Sequence, residues 1–547
     1  MAKSDYQNAI RINHRGFLPK GQKRFVLTEK IGECTDFSVY LIDNVQEILV
    51  YQGKLEPFSH NGQTYYVGDL SEVRRQGDYF ISVDGYKSRQ FVIYDGVYDI
   101  CNRVMLEYFT YQRCGHPLGW NGACHLDDGY IKETGEKVDL SGGYHQSCDL
   151  RKSPGGISIG VVGMLNFALK DKSQWGKILV VDEARWALSY YLKVIQENGQ
   201  MYNTLNSPFG WDGRVFYKSA APSSAQWNVT AALTLGYIYF KDKDVDFAEQ
   251  CLETALRSYN YLMGDNRSKE LYKHPDKFPM GMDPDFFYDQ CKPNTTADMA
   301  YKITVSANLY KATNESKYLD VVKQYTPLVL DSLDGYILKR QDNKSLTVSS
   351  SCSYTWLTGG LLSLCDAYEL LGDYCSLKKK LSLALDELCV FADKSPWKSI
   401  EIIYSNEDLD KPCGHVNETR RQSMPWLVQY ADYYYSPKCD FEPSYACYMG
   451  IFLSRGGKLL GNRNYTAHAQ SIADLLLGAN PLDSSRIRAI GHNHSTHAAY
   501  GQFFPSTPFI PGAVGVGYSS PGGESEYDMP CVGLSMYLLS ELSEDNK

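Results

Sequence analysis

Two periodicities divide the chain near residue 96. Before it, short segments such as KRFVLTEK, DFSVYLID, EILVYQG, TYYVGDL and DYFISVDG alternate apolar with polar positions and are separated by Gly, Asn and Asp turns. A period of two places one face of each strand in a core and the other in water, and Val, Ile, Tyr and Phe suit that pleated surface. Residues 1–96 are therefore expected to form an antiparallel β-sandwich. After this point apolar positions recur at steps of three and four, as at Trp227, Ala231, Leu235 and Ile238. The spacing predicts helices over 98–113, 155–170, 181–196, 223–240, 244–262, 297–313, 316–333, 354–371, 375–393, 419–434, 443–459, 464–477 and 529–542. Helices joined by alternately short and long connections suit a ring of hairpins spanning 97–547. Periodicity alone equally allows a solenoid, although no repeat of fixed period is found. The long connections at 199–222, 263–295, 335–353, 394–418 and 485–528 are rich in Gly, Pro and Asn. Loops of that size usually build a site.

Length agrees with two domains, since 547 residues exceed what a single core usually supports. The net charge of -9 leaves no electrostatic footprint for nucleic acid, and no Lys/Arg run suggests an anionic membrane partner. No apolar run approaches the ~20 residues of a membrane-spanning helix. The start, MAKSDYQNAI, lacks the apolar stretch of an export signal, and the 15 cysteines form no disulfide framework. Together these features lead to the expectation of a cytoplasmic protein. Most of the 43 tyrosines are expected to fill helix interfaces.

The densest chemistry lies between residues 112 and 149. Cys114, Cys124, His125 and His145 offer two thiolates and two imidazoles, a set that closes a tetrahedral zinc shell with no open position. Each alone reads as a buried thiol or a loop histidine. Together, with Gly115, Gly142 and Gly143 allowing tight turns beside them, they read as a structural zinc site. Asp127 and Asp128 read as hydrogen-bond acceptors in the same loop. A second histidine group, His492, His494 and His497, lies in one loop, and a metal site there is the less favoured reading.

The segments QRCG, CHLDDG and VDLSGGYH resemble the opening of the catalytic module of glycoside hydrolase family 9, the cellulase-type inverting glycosidases. SAAPSSAQWNVTAALTLGYIYF and YTAHAQSIADLLLGANPLDSS extend that resemblance, and AIRINHRGFLPKGQKRFVL resembles the immunoglobulin-like module that precedes many such domains. The resemblance implies an immunoglobulin-like β-sandwich followed by an all-α (α/α)6 barrel. It further implies an inverting β-glycosidase, in which an acid protonates the leaving oxygen while a base activates water across the ring.

Laid onto the family pattern, Asp149 takes the place of the base, and Gln146 stands where a second water-holding aspartate is usual. The acid falls on Glu524, or else Glu526, with Tyr527 beside it at the sugar. The His-His-Arg pair of the family is not matched in the loop holding His492, His494 and His497, whose histidines are expected to serve as sugar-hydroxyl contacts or simple loop polarity. These departures, with the expected cytoplasmic setting, point to exo-action on short or decorated β-linked glycosides. Phe286, Phe287, Tyr288 and Trp397 are candidate cleft closures, or else anchors of their loops. An endo-β-1,4-glucanase and a non-catalytic carbohydrate-binding relative remain the alternatives. Calcium is left open as a further metal, with no residues assigned to it.

Overall fold

The computed structural model describes residues 9–33, 35–60, 62–117, 123–131, 134–148, 152–171, 174–202, 215–216, 223–264, 294–341, 353–398, 403–405, 410, 420–423, 428–430, 433–435, 443–494, 509–515 and 527–544. The first ten strands are β1 (Ile10–Arg11), β2 (Gly16–Phe17), β3 (Arg24–Leu27), β4 (Asp36–Asp43), β5 (Gln46–Lys54), β6 (Glu56–His60), β7 (Gln63–Asp69), β8 (Gly77–Val83), β9 (Tyr86–Lys87) and β10 (Phe91–Ile93). They make two sheets, ordered β1-β3-β7-β6 and β2-β10-β8-β4-β5, with β9 paired to β8. Alternation decides which side chains face inward: in β4, Phe37, Val39 and Leu41 are buried while Ser38 and Tyr40 are not. The inward set packs with Phe17, Phe25, Tyr79, Ile81 and Phe91 as the sandwich core.

The helical part comprises α1 (Asp99–Gln112), α2 (Pro154–Lys170), α3 (Gln174–Val194), α4 (Ser223–Phe240), α5 (Val245–Met263), α6 (Thr296–Thr313), α7 (Ser316–Gln341), α8 (Ser353–Leu371), α9 (Leu377–Ala392), α10 (Arg420–Ser423), α11 (Pro443–Leu460), α12 (Arg463–Leu476) and α13 (Met529–Glu544). Packing sorts them into two rings. Helices α2, α4, α6, α8, α11 and α13 each pack on the next, and α13 returns to pack on α2 and close the ring. The remaining long helices lie outside, which makes the domain an (α/α)6 barrel. Closure depends on close backbone approach. A Cβ on Gly533 would stand 2.0 Å from the Gly160 carbonyl oxygen, and one on Gly163 would stand 2.3 Å from that of Gly533.

Each inner helix begins after a long connection, so all six N-termini meet at one end of the barrel. Local caps support these starts. Ser153 accepts from Gly156 N–H at α2, and Thr295 from Asp298 N–H at α6. The short strands β11 (Tyr130–Ile131) and β12 (Val215–Phe216) pair in parallel beside this end.

The expected helix over 419–434 is not formed. The chain there makes one turn, α10, followed by β14 (Val428–Tyr430) and β15 (Tyr433–Tyr435), which pair with β13 (Ile403–Ser405). Its Val and Tyr content fits a pleated surface, and Pro425 cannot donate to a continuing helix. In the opposite direction, α7 runs on to Gln341, into the connection expected from 335.

The sandwich is bonded to the barrel through the segment after β1. His14 N–H donates to the Leu477 carbonyl at 2.8 Å, and Asn13 Nδ2 donates to Asp474 Oδ1 at 2.9 Å. Asp483 receives His14 Nε2 at 2.9 Å and Arg89 Nη2 at 2.8 Å. Leu18, Val26 and Val67 of the sandwich complete the seam by joining the barrel's apolar core.

Candidate functional site

Cys114, Cys124, His125 and His145 come together at the end of the barrel where the inner helices begin. Their ligand atoms all lie within 4.8 Å of one another, the only such group found among the described residues. Backbone pairing builds the cluster. Beyond the end of α1, Cys114 N–H donates to the Gly143 carbonyl at 2.9 Å and His145 N–H donates to the Gln112 carbonyl at 2.8 Å. Those bonds lay the Cys114 and His145 segments side by side. Gly143 has φ +73, and a Cβ there would lie 2.8 Å from the Tyr190 ring, so both conformation and space favour glycine.

The residues preceding two of the ligands share an anchor on α3. Arg113 Nη2 lies 2.8 Å from Glu183 Oε1, and Tyr144 OH donates to Glu183 Oε2 at 2.9 Å. Burial raises the Glu183 carboxyl, and the Arg113 guanidinium opposes that rise. Trp186 Nε1 donates to the Gly143 carbonyl at 2.9 Å, which fixes the same turn.

The donor chemistry fits zinc. Zinc bonds of about 2.0–2.3 Å place neighbouring tetrahedral ligand atoms about 3.3–3.8 Å apart. Cys124 Sγ and His145 Nε2 are 3.4 Å apart. A hydrogen bond with Cys114 and another from His145 draw the Cys124 thiol down to about 3, while burial pushes Cys114 up. Burial lowers His145, which keeps that imidazole neutral as a metal ligand must be.

His125 is oriented from behind by a carboxylate, its Nδ1 lying 3.1 Å from Asp128 Oδ2. Asp128 in turn receives Lys152 Nζ at 2.9 Å, both side chains being fully buried, and Lys152 also donates to the Leu140 carbonyl at 2.8 Å. Nothing in the sequence pattern singles out Lys152, Arg113 or Glu183.

On the other side of His145 the chain approaches α13. Ser147 forms a β-bridge with Asp528, and Met529 N–H donates to the Gln146 carbonyl at 3.0 Å. The segment that leads into Asp149 therefore lies against the segment that follows Glu526. The Gln146 side chain sits over the first turn of α2, where a Cβ on Gly156 would fall 1.8 Å from its Oε1. Tyr527 is buried, with Tyr108 edge-on at 5.7 Å between ring centroids and the Arg488 guanidinium 5.2 Å above its ring. Asp149, Glu524, Glu526 and His497, with Phe286, Phe287 and Tyr288, lie outside the described residues.

The remaining expected contacts fall elsewhere. His492 sits at the seam between the domains, its N–H donating to His14 Nδ1 at 3.1 Å and its ring edge-on to His14 at 5.4 Å. His494 packs against Phe509 at 5.3 Å. Trp397 is buried edge-on against Tyr65 of β7 at 5.9 Å, so it anchors its loop to the sandwich.

The barrel, its leading sandwich and the cluster near the N-termini of α2 and α13 define a two-domain (α/α)6 protein with a four-ligand cluster at one end of its barrel. The profile of glycosyl hydrolase family 9 matches residues 98–501, and that of the cellulase N-terminal ig-like domain matches 5–88. The chain belongs to glycosyl hydrolase family 9.

A cellodextrinase from Butyrivibrio fibrisolvens is 26% identical over 343 residues, covering 56% of this chain and 59% of the relative. Endoglucanase D from Acetivibrio thermocellus is 23% identical over 351 residues, covering 57% of this chain and 53% of the relative. The match thus spans little more than half the length of these curated relatives. The solved structure of a family 9 protein from Bacteroides ovatus superposes with a TM-score of 0.68 at 17% identity, covering 99% of this chain and 100% of that one, which shows a shared fold.

Proposed function

We propose that this protein is an inverting β-glycoside hydrolase that acts from one end on short or decorated β-linked glycosides. The observation that carries the reading is the pairing of the Gln146–Cys148 segment with Asp528 and Met529. It supports a shared site, because these described stretches adjoin the residues assigned here as base and acid. In this reading Asp149 takes a proton from the attacking water, and Glu524, or else Glu526, gives one to the leaving oxygen. Gln146 contributes hydrogen bonds but no charge where an aspartate is usual. Activation of water then rests on Asp149 alone.

Zinc on Cys114, Cys124, His125 and His145 is part of the proposal, with a closed shell that shapes the loop and leaves no position for substrate. It supplies cross-linking, and proton transfer stays with the carboxylates. No residues are assigned to calcium. The similarity to a cellodextrinase supports a short substrate. The similarity to endoglucanase D supports a second reading, internal cleavage of β-1,4-glucan.

Product analysis on a panel of β-linked oligosaccharides and a soluble cellulose derivative tests the choice. Release of a single small product from chain ends is expected. A ladder of internal fragments from the soluble polymer would return the protein to the endo class.

A further inference from the structure

We infer that Lys152, through its buried ion pair with Asp128, is a positioning residue that ties the base-bearing segment to the metal centre. The inference rests on the assignment of Asp149 as base. His145 precedes position 149 by four residues and Lys152 follows it by three. Both of these side chains reach the same module. His145 Nε2 lies 3.4 Å from Cys124 Sγ, while Lys152 Nζ lies 2.9 Å from Asp128 Oδ2, which itself holds His125 Nδ1 at 3.1 Å. Lys152 is tied a second time to that loop by the Leu140 carbonyl at 2.8 Å, and its ammonium stands 5.0 Å from the centre of the Tyr190 ring. His145 and Lys152, the described residues on either side of position 149, are thus both held by the loop that carries Cys124 and His125.

The charge pair is an expensive way to hold a loop if stability alone is at stake. Burying an ammonium with a carboxylate is often no better for folding than two apolar side chains of equal volume. What the pair adds is direction. Three donors on one nitrogen, aimed at a carboxylate oxygen, a carbonyl and an aromatic face, fix where the segment leaves the loop. A general base needs that precision, because displacement by about an ångström can cost on the order of a hundredfold in rate. The same carboxylate orients a zinc ligand, so metal loading and base placement share one strut.

The double variant Asp128→Asn with Lys152→Met tests this without leaving a buried charge unpaired. Three readouts are taken on the full chain: zinc affinity by competition with a chelator, hydrogen exchange of backbone amides over 145–152, and kcat and KM on an aryl β-glycoside. The expected result is a folded protein that still binds about one zinc per chain, roughly tenfold more weakly. Exchange should rise over 145–152 and not in the inner helices, and kcat should fall about a hundredfold with KM nearly unchanged.

Unchanged exchange over 145–152 together with unchanged kcat would overturn the inference. So would global unfolding of both the double variant and Lys152→Arg, which would assign the pair to stability. Asp149→Asn, measured in parallel, separates the two claims. If that variant keeps wild-type turnover the base assignment fails, while zinc affinity and exchange still decide whether Lys152 grips the segment.

Discussion

The thiol pair Cys114 and Cys124 is the feature of the metal centre most open to measurement. Its bond to Cys114 draws Cys124 down to about 3 and burial pushes Cys114 up, while zinc requires both as thiolates, so metal uptake is pH-dependent. Purified protein is expected to carry about one zinc per chain, read by elemental analysis. Cys124→Ser should lose the metal and lower the midpoint of thermal unfolding by several degrees, with a smaller change in turnover per folded molecule. Metal-free wild-type protein of full stability would contradict the assignment.

At the scale of single residues, the four ligands were readable because Cys and His in that number and spacing are rarely accidental. Asp128 was readable as a hydrogen-bond acceptor of that loop, and it accepts from His125 and Lys152, whereas Lys152 was not readable in the role it holds. A lysine in a polar stretch looks solvated, and only the folded chain places it 2.9 Å from a buried carboxylate. His492 meets His14 across a separation of 478 residues, a contact that leaves no trace in local pattern.

At the scale of elements, helices were readable wherever an apolar stripe of period 3.6 extends over several turns, as in α5 and α12. The 419–434 stretch shows the limit of that signal. Apolar and aromatic residues close together satisfy a helical spacing and a strand equally over a short run, and pairing of β14 and β15 with β13 settles it. Closure of the ring was likewise beyond pattern. It requires Gly160, Gly163 and Gly533 to meet where α2 crosses α13, and lone glycines within apolar helices give no indication of their partners.

At the scale of the whole molecule, the sandwich is bonded to the barrel by buried polar groups whose protonation matters. Asp474 receives Asn13 Nδ2 from the sandwich at 2.9 Å and Gln470 Nε2 at 2.8 Å, and burial raises its carboxyl to about 7. The unfolded chain releases this proton near pH 3.9. Between about pH 4 and 7 the native state therefore binds more protons than the unfolded state, and stability falls as pH rises. The contribution is fully present below the unfolded value and is lost once pH passes the folded one, a span on the order of 4 kcal/mol. Denaturant unfolding of wild type and Asp474→Asn at pH 5 and pH 8 should show a fall in the wild type that the variant lacks. Equal pH dependence in both would show that Asp474 does not hold a proton at the seam.

The central claim is inverting hydrolysis of a β-glycosidic bond, and proton NMR of cellotetraose hydrolysis, followed from the first minutes, tests it most directly. Water activated on the face opposite the leaving group delivers the new hydroxyl with inverted configuration, so the first product signal at the newly formed reducing end should be the α-anomer, followed by slower mutarotation. A β-anomer appearing first, or no cleavage by zinc-loaded protein of cellotetraose or any other β-linked oligosaccharide, would contradict the account.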